Sequence, residues 1–243
     1  MRMIAFSKRC AKELWRDPLT VAFGLGFPVV LLLLLSAIQA NVPVPLFEIQ
    51  HLTPGITVFG LAFLSLFSAT LIARDRESTF LQRLYTTPLT PWDYILGYLL
   101  PLIPMALAQS AICYVVAFFL GLPITIHVLY ALLMMLPVTV FYISLGLLCG
   151  SVLNVKQVGS VCGALLTNLS AWLSGVWFDL ELVGATFQKI AHLLPFVHMV
   201  ELERGVLNGT MGEALPHLIP VVLYAALTAV GAVWLFLRQM KKQ

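Results

Sequence analysis

Charged residues in this chain fall in clusters, and long apolar stretches lie between them. Asp, Glu, Lys and Arg are absent from Pro18 to Phe47, from Ile49 to Ala73, from Tyr94 to Val155, from Gln157 to Phe178 and from Ala214 to Leu237. A helix that crosses hydrocarbon needs ~20 mostly apolar residues, each rising 1.5 Å. The run from Tyr94 to Val155 is 62 residues long, too long for one crossing, and Gly121-Leu122-Pro123 divides it. The pattern therefore predicts spans near 18–40, 54–73, 96–120, 128–150, 157–178 and 214–237. None of these runs alternates as a barrel strand does, and open strands cannot cross lipid with unpaired backbone groups, so the spans are helices.

Composition agrees with the pattern. Sixty per cent of the 243 residues are hydrophobic, 10% are charged, and the mean hydropathy is +0.95. A soluble domain carries about 25% charged residues, so the solvent for most of this chain is lipid. The expected fold class is an all-α integral membrane protein of six transmembrane helices, with residues 1–17 ahead of a domain covering 18–243.

The net charge of +3 matters less than its placement. Arg2, Lys8, Arg9, Lys12 and Arg16 precede the first span. Arg74, Arg76 and Arg83 follow the second, Lys156 follows the fourth, and Arg238, Lys241 and Lys242 follow the sixth. The opposite side holds Lys189 and Arg204. Basic loops mark the cytoplasmic side, which predicts a multi-pass protein of the cell membrane with both termini in the cytoplasm. The basic leader runs into the first span without a small-residue cleavage site, so that span is expected to be retained.

Wound as a helix, residues 2–17 collect Met3, Ile4, Phe6, Cys10, Ala11, Leu14 and Trp15 on one half and the cations on the other. Such a helix suits the membrane interface, basic face among headgroups and apolar face toward acyl chains; a plain topogenic leader is the alternative. Asp17-Pro18 reads as a cap and first-turn proline that start the crossing helix.

The loop 74–93 carries a short helical pattern, with Phe80, Leu81, Leu84 and Tyr85 on one side and Asp75, Arg76, Gln82 and Arg83 around them. Thr87-Pro88 ends it, and Thr90-Pro91 restarts a helix. This element either docks on a partner or rests on headgroups. Residues 179–213 are too apolar for a free loop and too short to span. Their pattern predicts helices near Gly184–Leu194 and Phe196–Leu207, parted by Pro195, as re-entrant or interfacial caps on the outer side.

Small residues recur at Gly159, Gly163, Thr167, Ala171 and Gly175, a stripe on which another helix could approach closely. Gln109 and Asn168 are polar groups within the spans, either interhelical hydrogen bonders or lining of a pathway. The four cysteines lack metal-ligand spacing and read as packed thiols. His192, His198, Glu201 and Glu203 are irregularly spaced and read as a solvated surface. A phosphate-binding glycine loop, a paired-histidine zinc motif and a flanked nucleophilic serine are all absent. No acid, Lys or Arg lies deep in a span, where an ion-coupled carrier keeps one. The chain is thus expected to bind no cofactor, metal or nucleic acid itself, and any energy it uses must come from elsewhere.

The segment Arg76-Glu77-Ser78-Thr79-Phe80-Leu81-Gln82-Arg83-Leu84-Tyr85-Thr86-Thr87-Pro88-Leu89 resembles the cytoplasmic signature of type-2 ABC transporter permeases, Arg-Glu-x-Gly-Thr-Leu-Glu-x-Leu followed by Thr-Pro-Leu. Thr79 and Phe80 stand where Gly-Thr is usual, and Gln82 where an acid is. Ser174-Gly175-Val176-Trp177-Phe178-Asp179-Leu180-Glu181 resembles that family's Ser-Gly-x-x-Phe-Pro-Leu-Glu, with Asp179 in the proline position. Leu194-Pro195 and Glu203-Arg204-Gly205 fall where the family has its post-span helices. The resemblance implies a complex of two membrane subunits, identical or related, and two ATPase subunits that hold ATP and Mg. It also implies that the leader is a connecting helix, and that the loop docks on an ATPase through Arg76, Glu77, Phe80, Leu81, Arg83, Leu84 and Tyr85. The expected function is then an exporter permease for an amphipathic or apolar substrate. A self-contained channel or intramembrane enzyme is the other class of reading.

Overall fold

The computed structural model describes residues 2–42, 45–78 and 91–240, and among these the long elements are all helical. Helix α1 (Arg2–Arg16) is followed by α2 (Pro18–Asn41), α3 (Ile49–Glu77), α4 (Pro91–Phe119) and α5 (His127–Val152). Helix α6 covers 155–173, α7 is Ala185–Leu193, α8 is Pro195–Leu207 and α9 is Met211–Met240. Among the described residues five helices, α2, α3, α4, α5 and α9, are long and apolar enough to cross a membrane.

The breaks follow from local chemistry. Asp17 accepts from the Thr20 amide at 3.3 Å with Pro18 at the first helical position, so α2 starts there. Within α2 the turn Ala22–Gly26 widens to a π-helix just ahead of Pro28, whose ring cannot take the amide position of a regular turn. Gly121 closes α4 with φ +105°, a left-handed conformation that glycine adopts without cost. Leu194-Pro195 separates α7 from α8, and Gly209, with φ +77°, parts α8 from α9.

Helix α6 departs from the expected span 157–178. Its helical backbone stops at Leu173, and Ser174 to Phe178 form turns and bends around Gly175, whose φ is +70°. Residues Gly159–Leu166 are π-helical. Thr167 Oγ1 donates to the Gly163 carbonyl at 2.6 Å, and Asn168 Nδ2 donates to the Ala164 carbonyl at 2.8 Å. Side chains that bond back to carbonyls four residues earlier compete with the regular ladder and bend it.

Helix α3 is the centre of the bundle. Of its apolar window 83% is buried, against 22% for α2 and 17% for α9. Glycines set its distance from α5. A Cβ on Gly146 would meet Ser65 and Ser68, and one on Gly150 would lie 2.8 Å from Ala69 Cα. These two glycines form a Gly-x-x-x-Gly pair, the pattern that lets helices in lipid bring their backbones together. The stripe on α6 is looser. A Cβ on Gly163 would lie 3.4 Å from a Leu66 side-chain atom, one on Gly159 would meet no other element within 4 Å, and Gly175 lies beyond the helix.

Candidate functional site

The predicted docking side chains Phe80, Leu81, Arg83, Leu84 and Tyr85 lie outside the described residues. The root of their loop is described, and side chains from the last turn of α3 tie it to four other helices. Asp75 is 2% exposed. Its carboxylate receives both terminal nitrogens of Arg9, at 2.6 and 2.8 Å, and the Tyr98 hydroxyl at 2.7 Å. Arg9 belongs to α1 and Tyr98 to α4. A two-pronged guanidinium–carboxylate contact fixes orientation as well as distance. Partial burial works against the Arg9 charge, but the hydrogen bonds and charge of Asp75 outweigh it and raise the pKa.

Packing seats α1 in the same place. Phe6 stacks edge-on against Tyr98 with ring centres 5.0 Å apart, over Gly97, where a Cβ would collide with the Phe6 ring. Phe6, Cys10 and Leu14 are buried, while Ile4 and Trp15 are exposed. Three of the seven residues of the apolar half are therefore covered by protein, with Met3 and Ala11 half-buried and Ile4 and Trp15 left outward.

The next two residues serve the junction between α5 and α6. Arg76 donates to the Gly150 carbonyl at 2.8 Å and the Leu153 carbonyl at 3.5 Å, at the end of α5. Glu77 Oε1 accepts from the Val155 amide at 2.9 Å, at the start of α6. Helix ends leave carbonyls and amides without partners of their own, and carry partial negative and positive charge respectively. A cation on the first and an anion on the second satisfy both. Asn154 and Gln157 complete that start as a reciprocal cap, with bonds of 2.9 and 3.1 Å.

A second tie lies at the opposite end of α3. Arg204 of α8 is buried and donates to Gly175 O at 3.2 Å, His51 O at 3.3 Å and Glu201 Oε1 at 2.7 Å. It thus joins the end of α6 to the start of α3. Neighbouring Glu203 is fully buried, and neither carboxyl oxygen has a hydrogen-bond partner among the described residues. Burial pushes its pKa well above the usual carboxylate range. Glu203 is therefore no part of a solvated cluster with His192, His198 and Glu201. His198 instead meets His217 of α9, Nδ1 to Nδ1 at 2.8 Å. Among the described residues no group of three or more metal-ligating side chains gathers.

Gln109 and Asn168 are not brought together. Gln109 is buried and donates to the Thr57 carbonyl at 3.1 Å, linking α4 to α3, whereas Asn168 is exposed on α6 and bonds within its own helix. Arg9, Asp75 and Tyr98 were not singled out by the sequence pattern. One signal was available: Asp75 continues the buried row Ser68, Leu71, Ile72 at helical spacing, an odd place for a lone acid.

A bundle of long apolar helices with its charged ties at the root of one loop has the form of a multi-pass membrane protein. Comparison with known proteins agrees, for the ABC-2 type transporter family matches residues 1–208, and the chain belongs to that family. It is 37% identical over 90 residues to ycf38 of Porphyra purpurea, named as a transport permease. It is 34% identical over 90 residues to the protein of the same name from Pyropia yezoensis. Each match covers 35% of this chain and 31% of the relative, so less than a third of either permease's length is matched.

Proposed function

We propose that the chain is the membrane subunit of an ATP-driven exporter, working beside a second permease subunit and two ATPase subunits. ATP and Mg would bind on the ATPases. In this reading six helices cross the cell membrane, α6 among them, both termini are cytoplasmic, and α7 and α8 dip into the outer leaflet. The cargo would be amphipathic or apolar, in keeping with an interior lined mainly by apolar and aromatic side chains.

The observation that carries the reading is the wiring of the loop root. Asp75, Arg76 and Glu77 sit where the loop leaves α3, and they hold α1, α4, the end of α5 and the start of α6. A push on the loop would reach all of them at once. Closure of the ATPases on bound ATP would supply that push through Phe80, Leu81, Leu84 and Tyr85, with Arg83 orienting the contact and Arg76 and Glu77, bonded to α5 and α6, passing it on. Apolar and aromatic anchors dominate such interfaces, and rim charges mainly set orientation.

The test is the paired truncation Leu84→Ala/Tyr85→Ala. It should weaken co-purification with the ATPase or lower transport-coupled ATP hydrolysis at least ~10-fold, the loss of two anchors, while insertion and helix content stay intact. Wild-type association and wild-type stimulated hydrolysis in that variant would refute the mechanism.

A further inference from the structure

Where α1 turns into α2, two cavities of opposite character share a wall. The first is an open hollow of about 840 Å3. Lys8, Lys12 and Arg16 line it from α1, one turn apart on a single face, and Arg74 closes it from the loop root. In all, five cations and two carboxylates line the hollow. Arg9 is committed to Asp75 and Glu13, and Arg74 stands 3.7 Å from Asp17. Lys8, Lys12 and Arg16 are exposed and pair with no carboxylate among the described residues. The surface is thus cationic in excess and complementary to an anion.

The second cavity is an apolar groove of about 300 Å3. Phe23 of α2 and Phe63, Leu66 and Phe67 of α3 form its sides, and Gly163 of α6 lines it without a side chain. Asp17 and Arg74 line both cavities. A polar, cationic mouth thus opens onto an apolar slot at the bend where the chain passes from α1 to a helix fit to cross the bilayer. A soluble anion would use the mouth and leave the slot empty. A docked peptide helix would need apolar surface in the mouth, where the charges stand.

We infer that this is a site for one anionic phospholipid, its phosphate among Lys8, Lys12, Arg16 and Arg74 and one acyl chain in the groove beside Gly163. The inference needs α2 and α3 to lie in a membrane and does not depend on the transport reading. A lipid seated there would fill the gap between α2 and α6, and would neutralise the face of α1 that the protein leaves open.

The experiment places the full-length chain in vesicles with spin-labelled phosphatidylglycerol or phosphatidylcholine of identical acyl chains. The readout is the fraction of label held immobile on the protein. Each cation near a membrane surface favours an anionic lipid by roughly fivefold. Phosphatidylglycerol should therefore be preferred by about tenfold or more at low salt, and the preference should shrink as salt is raised. Lys12→Gln/Arg16→Gln should lower the preference at least fivefold. Gly163→Phe leaves every charge in place but fills the slot, and it should release both lipids.

Equal retention of the two lipids by the wild type would overturn the proposal and leave the hollow to a macromolecular partner. So would full retention in Gly163→Phe. Displacement of the label by free glycerol phosphate, as effective as displacement by unlabelled lipid, would show a soluble-phosphate site instead. The wild-type comparison and its salt dependence stand even if a variant fails to fold.

Discussion

Replacing Arg9 by alanine leaves the Asp75 carboxylate, 2% exposed, with the Tyr98 hydroxyl as its remaining donor among the described residues. Removing one partner of a fully buried ion pair costs about 3–5 kcal/mol, because the other charge stays behind unpaired. The Arg9 side chain is 35% exposed, so water can reach the vacated place and the cost falls to about 2–3 kcal/mol. That cost falls on the docking of α1, which otherwise rests on Phe6, Cys10 and Leu14. In equilibrium terms it raises the undocked population about 30- to 150-fold. Asp75→Asn behaves differently. It keeps the volume and an acceptor for Tyr98, and the Arg9 it leaves behind is near water and 3.1 Å from Glu13, so about 1 kcal/mol is lost.

Cys10 reports the opening directly. It is fully buried, and burial followed by the nearby Asp75 charge pushes its thiol up to about 12, so the docked helix is close to inert toward maleimide. With Cys113, Cys149 and Cys162 replaced by alanine, labelling proceeds only through undocking of α1, and its rate follows the open population. Arg9→Ala should label about 30- to 150-fold faster than the parent and Asp75→Asn only several-fold faster, with the double variant well below the product of the two. Wild-type labelling in Arg9→Ala, or faster labelling in Asp75→Asn than in Arg9→Ala, would refute the reasoning.

Two further expectations concern packing and burial. A side chain at Gly150 meets the backbone of α3, so Gly150→Val should destabilise the detergent-purified chain by about 1–3 kcal/mol. Gly163→Val meets the tips of Leu66 and should cost less; thermal unfolding of the pair would decide, and equal losses would contradict the geometry. Glu203 has a folded-state pKa raised by burial above the ordinary 4.5. Its contribution to stability is complete below that ordinary value and is lost as pH rises through the raised one. The melting temperature should therefore decline with rising pH across that interval, and Glu203→Gln should flatten this part of the profile; an unchanged slope would mean that the carboxyl is not what titrates.

Charge-free runs are a strong signal in a lipid-solvated chain, because each charge at mid-bilayer costs several kcal/mol. Hence the long helices α2, α3, α4, α5 and α9 were legible within a few residues. The end of α6 was not, since Gly175 carries an apolar run onward while its backbone turns left-handed. The small-residue stripe on α6 drew attention by its regularity, yet the tightest approach is at Gly146 and Gly150, because closeness depends on what the partner helix presents. Arg76 and Glu77 were legible as a pair in a motif, but their bonds to α5 and α6 join residues more than 70 positions apart. Arg9 and Asp75 are separated by 66 positions, and nothing local in either segment names the other.

The two polar ties bear on how a bundle of this kind can switch between states. Helices in lipid slide and tilt at modest cost, since apolar contacts are exchanged for similar contacts with acyl chains. A bidentate ion pair, or an arginine shared by two main-chain carbonyls, cannot slide, because a partial shift strands a buried polar group. Motion should therefore leave the ties whole and carry the tied elements together. At the loop end that set is α1, α3, α4 and the α5–α6 junction; at the far end Arg204 ties α8, the start of α3 and the end of α6. Helix α3 belongs to both sets and is the most buried of the long helices, so it can act as a strut that transmits displacement along its length. Helices α2 and α9, buried by about a fifth, carry none of these ties, though α9 packs on α5 and α8 and its His217 meets His198. A permease driven from its loop would move α3 and its tied partners, α6 among them, as one body, and the surfaces that open and close would be those this body presents to α2.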